Sequence, residues 1–364
     1  MEATIKDAHM ETERSEMEKE LLISYESGNE LDQVLKELRT VIKVIGVGGA
    51  GCNTISRMFK ERIRGIELTA MNTDAQHLLH TIAHHKLLIG RNVTKGLGAG
   101  SLPPVGMEAA EESEEEIKNA LKGADMVFLT CGLGGGTGSG AIPIIAKAAT
   151  ELDILTVCVV TLPFNAEGKI RMENAQYGLE QVADVANTVI VIPNEKLLDI
   201  APQLPLDAAF RMADDTLMRA VKGIAELITE PGMINLDFAD LQTIMKEGGL
   251  SMIGMGEADS GDRAVEAVRN ALSSPLLDID IANACGALVN VVGGKEMSLA
   301  DGQRAVQEIY QRIDKKARIV WGASVDPELH NRMRALVVLT GVRSEQIIGA
   351  PPMIGWRRYG IESV

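Results

Sequence analysis

Cysteine is scarce in this 364-residue chain, and the four present, Cys52, Cys131, Cys158 and Cys285, lie far apart. No C-x-x-C pair occurs, so a zinc site is not expected, nor any metal site built from protein ligands alone. Cys131 and Cys158 sit in or at the end of apolar runs and read as reduced core residues. A surplus of positive charge is also missing, since the net charge is −15. An acidic surface lacks the clustered Lys and Arg that a non-specific DNA or RNA binder needs, so no nucleic-acid partner is expected. A nucleotide ligand stays open, because backbone N–H groups can hold one. The first residues, MEATIKDAHMETERSEMEKE, contain no apolar signal region. No apolar run approaches the ~20 residues of a membrane span. The expected compartment is a reducing cytoplasm. Internal repeats and long low-complexity tracts are absent, and so is the P-loop pattern G-x-x-x-x-G-K-[ST].

The material present suits a globular fold. Hydrophobic residues make up 46% and charged residues 24%, enough apolar material for a sizeable core. The length suggests two domains or one large one. Residues 1–40 carry 11 acidic and 5 basic residues. Leu31, Val34, Leu35 and Leu38 have helical spacing, which predicts a frayed acidic arm leading into a short amphipathic helix.

Strands and helices then alternate. Residues 41–47, 66–72, 86–90, 125–130, 154–162 and 188–193 read as strands that are apolar at nearly every position. Such strands, separated by helices at 50–63, at 107–122 and ahead of the last two, indicate a parallel sheet covered on both faces. A long helix is expected from about Leu206 to Glu230, stopped by Pro231-Gly232. Strands at 252–258, 286–294, 317–326 and 334–342, with helices at 261–273 and 298–314, form a second α/β region. The fold class is therefore α/β, with a parallel, Rossmann-like first region.

Three glycine-rich segments punctuate the first region. GVGGAGCN (46–53) follows a strand and opens a helix, and Gly46, Gly48 and Gly51 fit G-x-G-x-x-G. This motif is moderately specific; a tight strand-to-helix turn without ligand is the alternative. GLGGGTGSG (132–140) is in the same structural position. Six glycines in nine residues carry a steep entropic cost, offset if the loop wraps an anion with many N–H groups. Thr137 and Ser139 add hydroxyls. A Cβ branch at Gly135 or Gly138 would block phosphate approach. A dinucleotide-binding unit has one such loop, not two. KGLGAGSLPPVG (95–106) ends on the same rim and is positioned to close over a terminal phosphate, unless it is an ordinary mobile loop.

These motifs carry a family resemblance. GGGTGSG is the signature of tubulins and FtsZ proteins, and residues 38–342 resemble the FtsZ branch, of the archaeal type. GVGGAGCN, NTDAQ (72–76), GLGAG, TLPFNAEG (161–168), IPNEKLL (192–198), NLDFAD (235–240) and IVWGA (319–323) occur in that family's order. The chain departs at Ser101, where the family has glycine, and at Ser139, where FtsZ commonly has threonine. The resemblance implies a GTPase that binds GTP and GDP, with Mg²⁺ held mainly through phosphates and water. It implies a GTP-binding domain over 39–205 and a central helix over 206–232, after the acidic extension over 1–38, which is not a general feature of the family. A C-terminal GTPase-activating domain over 233–343 and a linker and tail over 344–364 follow.

The same resemblance assigns the site. Phosphate contacts fall to Gly48, Gly49, Ala50, Gly51 and Asn53, to Gly98, Ala99, Gly100 and Ser101, and to Gly134, Gly135, Gly136, Thr137, Gly138 and Ser139. Asn72, Asp74 and Pro163 complete the surroundings. Glu167 is expected on the ribose and Arg171 near ribose or phosphates, though the two are also spaced as a surface ion pair. Phe210 and Asp214 share a helix face. Phe210 can stack on guanine while Asp214 accepts from N1–H and the N2 amino group, and Asn194 lies near the base. Adenine lacks that donor pair.

No nucleophile or base sits in the glycine loops. The family resemblance places Asn235, Asp237 and Asp240 at the far end of the long helix, where they act on the GTP of the next subunit in a head-to-tail homopolymer. Asp237 and Asp240 could equally be helix caps. Trp356, Arg357, Arg358, Tyr359 and Ile361 form an aromatic and basic tip suited to a division or membrane-tethering protein, or else a tail without function. The implied location is the division site. Two other readings stay open: an NAD-dependent dehydrogenase using GVGGAGCN and Asp74, and a GTP-binding scaffold that does not hydrolyse.

Overall fold

Strands buried on both faces alternate their side chains between two separate cores. Ile45, Val47, Val127 and Leu129 belong to one cluster, while Ile42, Val44, Met126 and Phe128 belong to the other. The computed structural model describes residues 40–342 apart from 64, 202, 204, 230, 231, 235, 247 and 278–283. The acidic extension, Asn235 and the linker and tail lie outside the described residues.

In chain order, β1 (Ile42–Val47) leads into α1 (Gly48–Lys60), and β2 (Ile66–Asn72) into α2 (Ala75–His80). β3 (His85–Leu88) precedes α3 (Arg91–Thr94), α4 (Pro103–Glu112) and α5 (Glu114–Leu121). β4 (Met126–Gly132) leads into α6 (Gly136–Glu151), β5 (Leu155–Leu162) into α7 (Lys169–Ala183), and β6 (Thr188–Pro193) into α8 (Asn194–Ile200). The long α9 (Leu206–Thr229) and α10 (Phe238–Met245) come next. Then follow β7 (Gly249–Ala258), α11 (Arg263–Leu272), β8 (Gly286–Gly293), α12 (Leu299–Tyr310), β9 (Arg318–Val325) and β10 (Met333–Thr340).

The ten strands form one sheet in the order β3-β2-β1-β4-β5-β6-β7-β10-β8-β9. β1 through β7 pair in parallel, β10 runs antiparallel to β7 and β8, and β8 and β9 are parallel. The later strands therefore continue the first sheet, joined through Thr188–Val191 against Gly249–Met252.

The helix expected over 107–122 starts earlier and is broken. Pro103 and Pro104 occupy its first turn, where a missing N–H costs nothing. Ser113 interrupts it, and its hydroxyl accepts from the Gly90 N–H at 2.9 Å.

α9 turns Ala209, Ala213, Leu217, Ala220, Val221, Ile224 and Ala225 inward at spacings of three and four. All but Ala209 share one core with Val44, Phe128, Val157 and Ile190. With 24 residues, α9 is ~36 Å long.

Glycine sets how closely α4 meets α6. A Cβ on Gly106 would lie 2.1 Å from the Gly136 carbonyl oxygen, and one on Gly140 would lie 2.0 Å from that of Pro103. Gly106→Ala is therefore expected to destabilise the fold by about 1–3 kcal/mol. The measurement is a denaturant midpoint at unchanged slope. Wild-type stability would mean that α4 can shift away freely.

Candidate nucleotide-binding site

Parallel strands deliver their carboxyl ends to one edge of the sheet, and the loops that follow β1 to β6 gather there. α1 begins at Gly48 and α6 at Gly136, directly after β1 and shortly after β4. Neither helix has a capping side chain at its N-terminus or an acidic residue in its first turn. By contrast, Asp74 caps α2, Asp237 caps α10 and Ser298 caps α12. Uncapped N–H groups with the helix dipole behind them suit an anion. The two loops touch: a Cβ on Gly48 would lie 3.2 Å from the Gly138 N.

The glycines of this edge differ in what they do. A side chain added at Gly49, Gly100 or Gly135 would meet nothing within 4 Å. One added at Gly51, Gly136 or Gly138 would strike backbone, at 2.4 Å from the Thr130 oxygen, 2.6 Å from the Leu102 N and 2.6 Å from the Gly132 oxygen. Gly138→Val would thus disturb the fold itself, whereas Gly135→Val reaches only the open face. The third loop brings Gly98, Ala99, Gly100 and Ser101 to the same place, with Leu102 packed on Gly136. Ser101 occupies the left-handed region at φ 60, a conformation natural to glycine.

Two side chains that sequence reasoning missed brace these loops. The hydroxyls of Thr73 and Thr137 lie 2.6 Å apart, which joins the NTDAQ turn to the GGGTGSG loop. Asn174 of α7 donates to the Ser101 carbonyl at 2.9 Å and to the Gly134 carbonyl at 3.3 Å. Ser139 turns inward and accepts from the Gly134 N–H at 2.8 Å. Asn72 is buried and accepts from the Asp74 N–H at 3.2 Å. Asp74 itself accepts from the His77 N–H at 3.0 Å.

Further along the edge, the side chains change character. Phe210 is 38% exposed and meets Phe164 edge to face at 5.3 Å. Asn53, Phe210 and Asp214 line one cleft of about 550 Å³ between α1 and α9. Asn194 begins α8 and is 5% exposed, yet its Oδ1 has no hydrogen-bond partner. A buried acceptor left unpaired in this way awaits a donor. That orphan, together with the open space at Gly49, Gly100 and Gly135, fits a nucleotide. Pro163 is buried and packs against Gly134. Glu167 accepts from the Phe164 N–H at 2.9 Å and pairs with Arg171. Both therefore have partners within the protein.

Asp237 and Asp240 stand elsewhere. Asp237 accepts from the Ala239 N–H at 3.1 Å, and both carboxylates are exposed. Gln242 and Lys246, next along, share a crevice with Asp153, Leu155 and Asn187, which lie at the amino ends of β5 and β6. α10 thus sits at the sheet edge opposite the glycine loops. The eight residues of β5 alone span about 26 Å.

Burial raises the pKa of Asp214 to about 6. Arg57, with Nε 3.7 Å away, opposes this and Asp215 adds to it, but Arg57 is shared with Asp215. Burial prevails. The folded chain then holds a proton on Asp214 between pH 4 and 6 that the unfolded chain has released. Stability from this group is full below pH 4 and is lost as pH rises through 6, by about 2–3 kcal/mol. Asp214→Asn should remove that loss. Chemical denaturation of the nucleotide-free protein at pH 4.5 and 7.5 gives the comparison. An equal change in both proteins would show that Asp214 is ordinarily solvated.

Comparison with known proteins agrees with this geometry. Residues 41–202 match the Tubulin/FtsZ family, GTPase domain, and residues 249–343 match the FtsZ family, C-terminal domain. The chain is 55% identical to cell division protein FtsZ 1 of Archaeoglobus fulgidus over 365 aligned positions, covering 100% of this chain and 99% of that protein. It is 53% identical to cell division protein FtsZ of Methanothermobacter thermautotrophicus, covering 95% and 91%. Among solved structures, an empty FtsZ dimer of M. jannaschii aligns with TM-score 0.83 and 52% identity over 86% of this chain and 92% of that one. CetZ2 of Haloferax volcanii shares the fold, with TM-score 0.73 at 23% identity over 85% and 96%. The dehydrogenase reading is thereby set aside, and the chain belongs to the tubulin/FtsZ family of GTPases, on its FtsZ branch.

Proposed function

We propose that this chain, a tubulin-like GTPase of cell division, completes its active site only when two copies stack head to tail. The observation that supports this is that the glycine loops and the exposed Asp237 and Asp240 lie at opposite edges of one sheet. The glycine loops after β1, β3 and β4 cradle the phosphates. Phe210 stacks on guanine, Asp214 accepts from its N1–H and N2 amino group, and the unpaired Asn194 oxygen accepts nearby. Glu167 and Arg171 exchange their mutual pairing for ribose and phosphate contacts.

Hydrolysis needs an oriented water and stabilised charge more than covalent chemistry. Asp237 and Asp240, exposed at the far edge, supply that orientation to the neighbour's GTP, together with Asn235. Mg²⁺, carried by the phosphates and water, would neutralise charge on the triphosphate. A head-to-tail contact does not close on itself, so it generates filaments. Such filaments would act at the division site, with the tail segment around Trp356 recruiting a tethering partner.

Mixing two variants tests the shared site. Asp240→Ala should bind GTP normally, assemble, and lose turnover by at least about a hundredfold. Gly135→Val should fold and hold no GTP. Neither turns over GTP alone. Mixed, they should regain activity, because the Gly135→Val subunit presents intact carboxylates to the GTP of its Asp240→Ala neighbour. An inactive mixture with co-assembly confirmed by sedimentation would falsify the shared site. Undiminished turnover by Asp240→Ala alone would do the same.

A further inference from the structure

We propose that Asn174 is a positioning residue that locks the 98–101 loop against the 134–139 loop and thereby sets the preference for GTP over GDP. This rests on the reading above, in which these loops hold the triphosphate. Asn174 lies on α7 and is 5% exposed. Its one amide group donates to carbonyls of both loops, Ser101 at 2.9 Å and Gly134 at 3.3 Å. A side-chain amide has two N–H donors, and this arrangement has a carbonyl for each.

Both carbonyls belong to residues in unusual backbone conformations, with φ 60 at Ser101 and φ 105 at Gly134. For Ser101, which carries a Cβ, that region costs on the order of 1 kcal/mol. An unheld chain would relax away from it. The Asn174 bond secures the carbonyl of this residue.

The two loops are unequally supported. The 134–139 loop opens α6 and is braced by Ser139 and by the Thr73–Thr137 contact. The 98–101 loop is held by backbone bonds at its ends, the Gly98 N–H to the Thr73 carbonyl at 3.1 Å and the Leu102 N–H to the Ala99 carbonyl at 3.0 Å. Between them Gly100 touches nothing within 4 Å of its missing side chain. Asn174 therefore decides whether this loop presents a fixed set of N–H groups. Preorganised donors strengthen binding of whatever reaches them. On that reading, with the 98–101 loop closing over the terminal phosphate, the 134–139 loop is left to the inner ones. A diphosphate ends short of the second loop and gains nothing from its order.

Asn174→Leu keeps much of the volume and removes the donors. In the full-length protein, its affinity for GTP should fall about tenfold, the scale of one or two hydrogen bonds. Its affinity for GDP should stay within about twofold on the same reasoning. Equilibrium dialysis with each nucleotide, at matched salt, gives the ratio. If leucine is not accommodated, as judged by thermal unfolding, Asn174→Ala is measured instead. Equal loss for both nucleotides makes Asn174 merely structural, and no loss removes its role; either result overturns the proposal. Gly135→Val, run in parallel, should lose both nucleotides. If it binds both normally, the assignment of the loops fails instead.

Discussion

Bare backbone pressed against bare backbone at the carboxyl edge of the sheet governs the rest of the molecule. Gly51 lies against the Thr130 carbonyl, Gly138 against Gly132 and Gly106 against Gly136, each too near for a Cβ. These approaches bring the starts of α1 and α6 together, so two uncapped helix ends face one space. A capping side chain at either start would occupy the position that a phosphate needs. The same closeness explains the dense glycine in this region. Some glycines, such as Gly49, Gly100 and Gly135, border open space, and others leave room for the neighbouring loop.

Electrostatics at the other end of the site works through desolvation. Asp214 is buried enough to hold a proton well above the ordinary carboxylate range, and Arg57 is divided between it and Asp215. The folded chain therefore contains a carboxylate that is costly to ionise. A base with two adjacent donors would return the hydrogen bonds that burial removed. A base lacking them would leave the cost in place. On the proposed reading, selectivity of this kind would arise from hydrogen bonds the folded chain does not make for itself, and the unpaired Asn194 oxygen is a second such group.

Much of this was legible in the residue order. Strands such as TVIVIP (188–193) declare themselves because both faces are buried, leaving no alternation to confuse with a helix. The glycine loops announce a phosphate because six glycines in nine residues have few other uses. Thr73 and Asn174 were not legible. Their contacts span 64 and 73 positions, and nothing local marks a threonine or a helical asparagine as a brace. Gly135 and Gly138 looked equivalent for the same reason. Neighbours contributed by β4 separate them, and those neighbours appear only in the folded chain. The break at Ser113 has this origin too, since its partner Gly90 comes from another segment.

α9 has a mechanical consequence. It starts beside the cleft lined by Phe210 and Asp214 and ends with Thr229 against Gly65, just ahead of β2, so it runs from the carboxyl edge of the strands towards their amino edge. A stiff rod of ~36 Å converts small rotations into large displacements. A tilt of about 5° at one end moves the other by about 3 Å, for a helix of that length. That distance separates a made hydrogen bond from a broken one. The inward face of α9 mixes Ala209, Ala213, Ala220 and Ala225 with the larger Leu217, Val221 and Ile224, which key it to the strands along its length. If a base binds beside Phe210 and Asp214 as proposed, a shift of the helix there would thus be felt at the opposite edge through the rod itself.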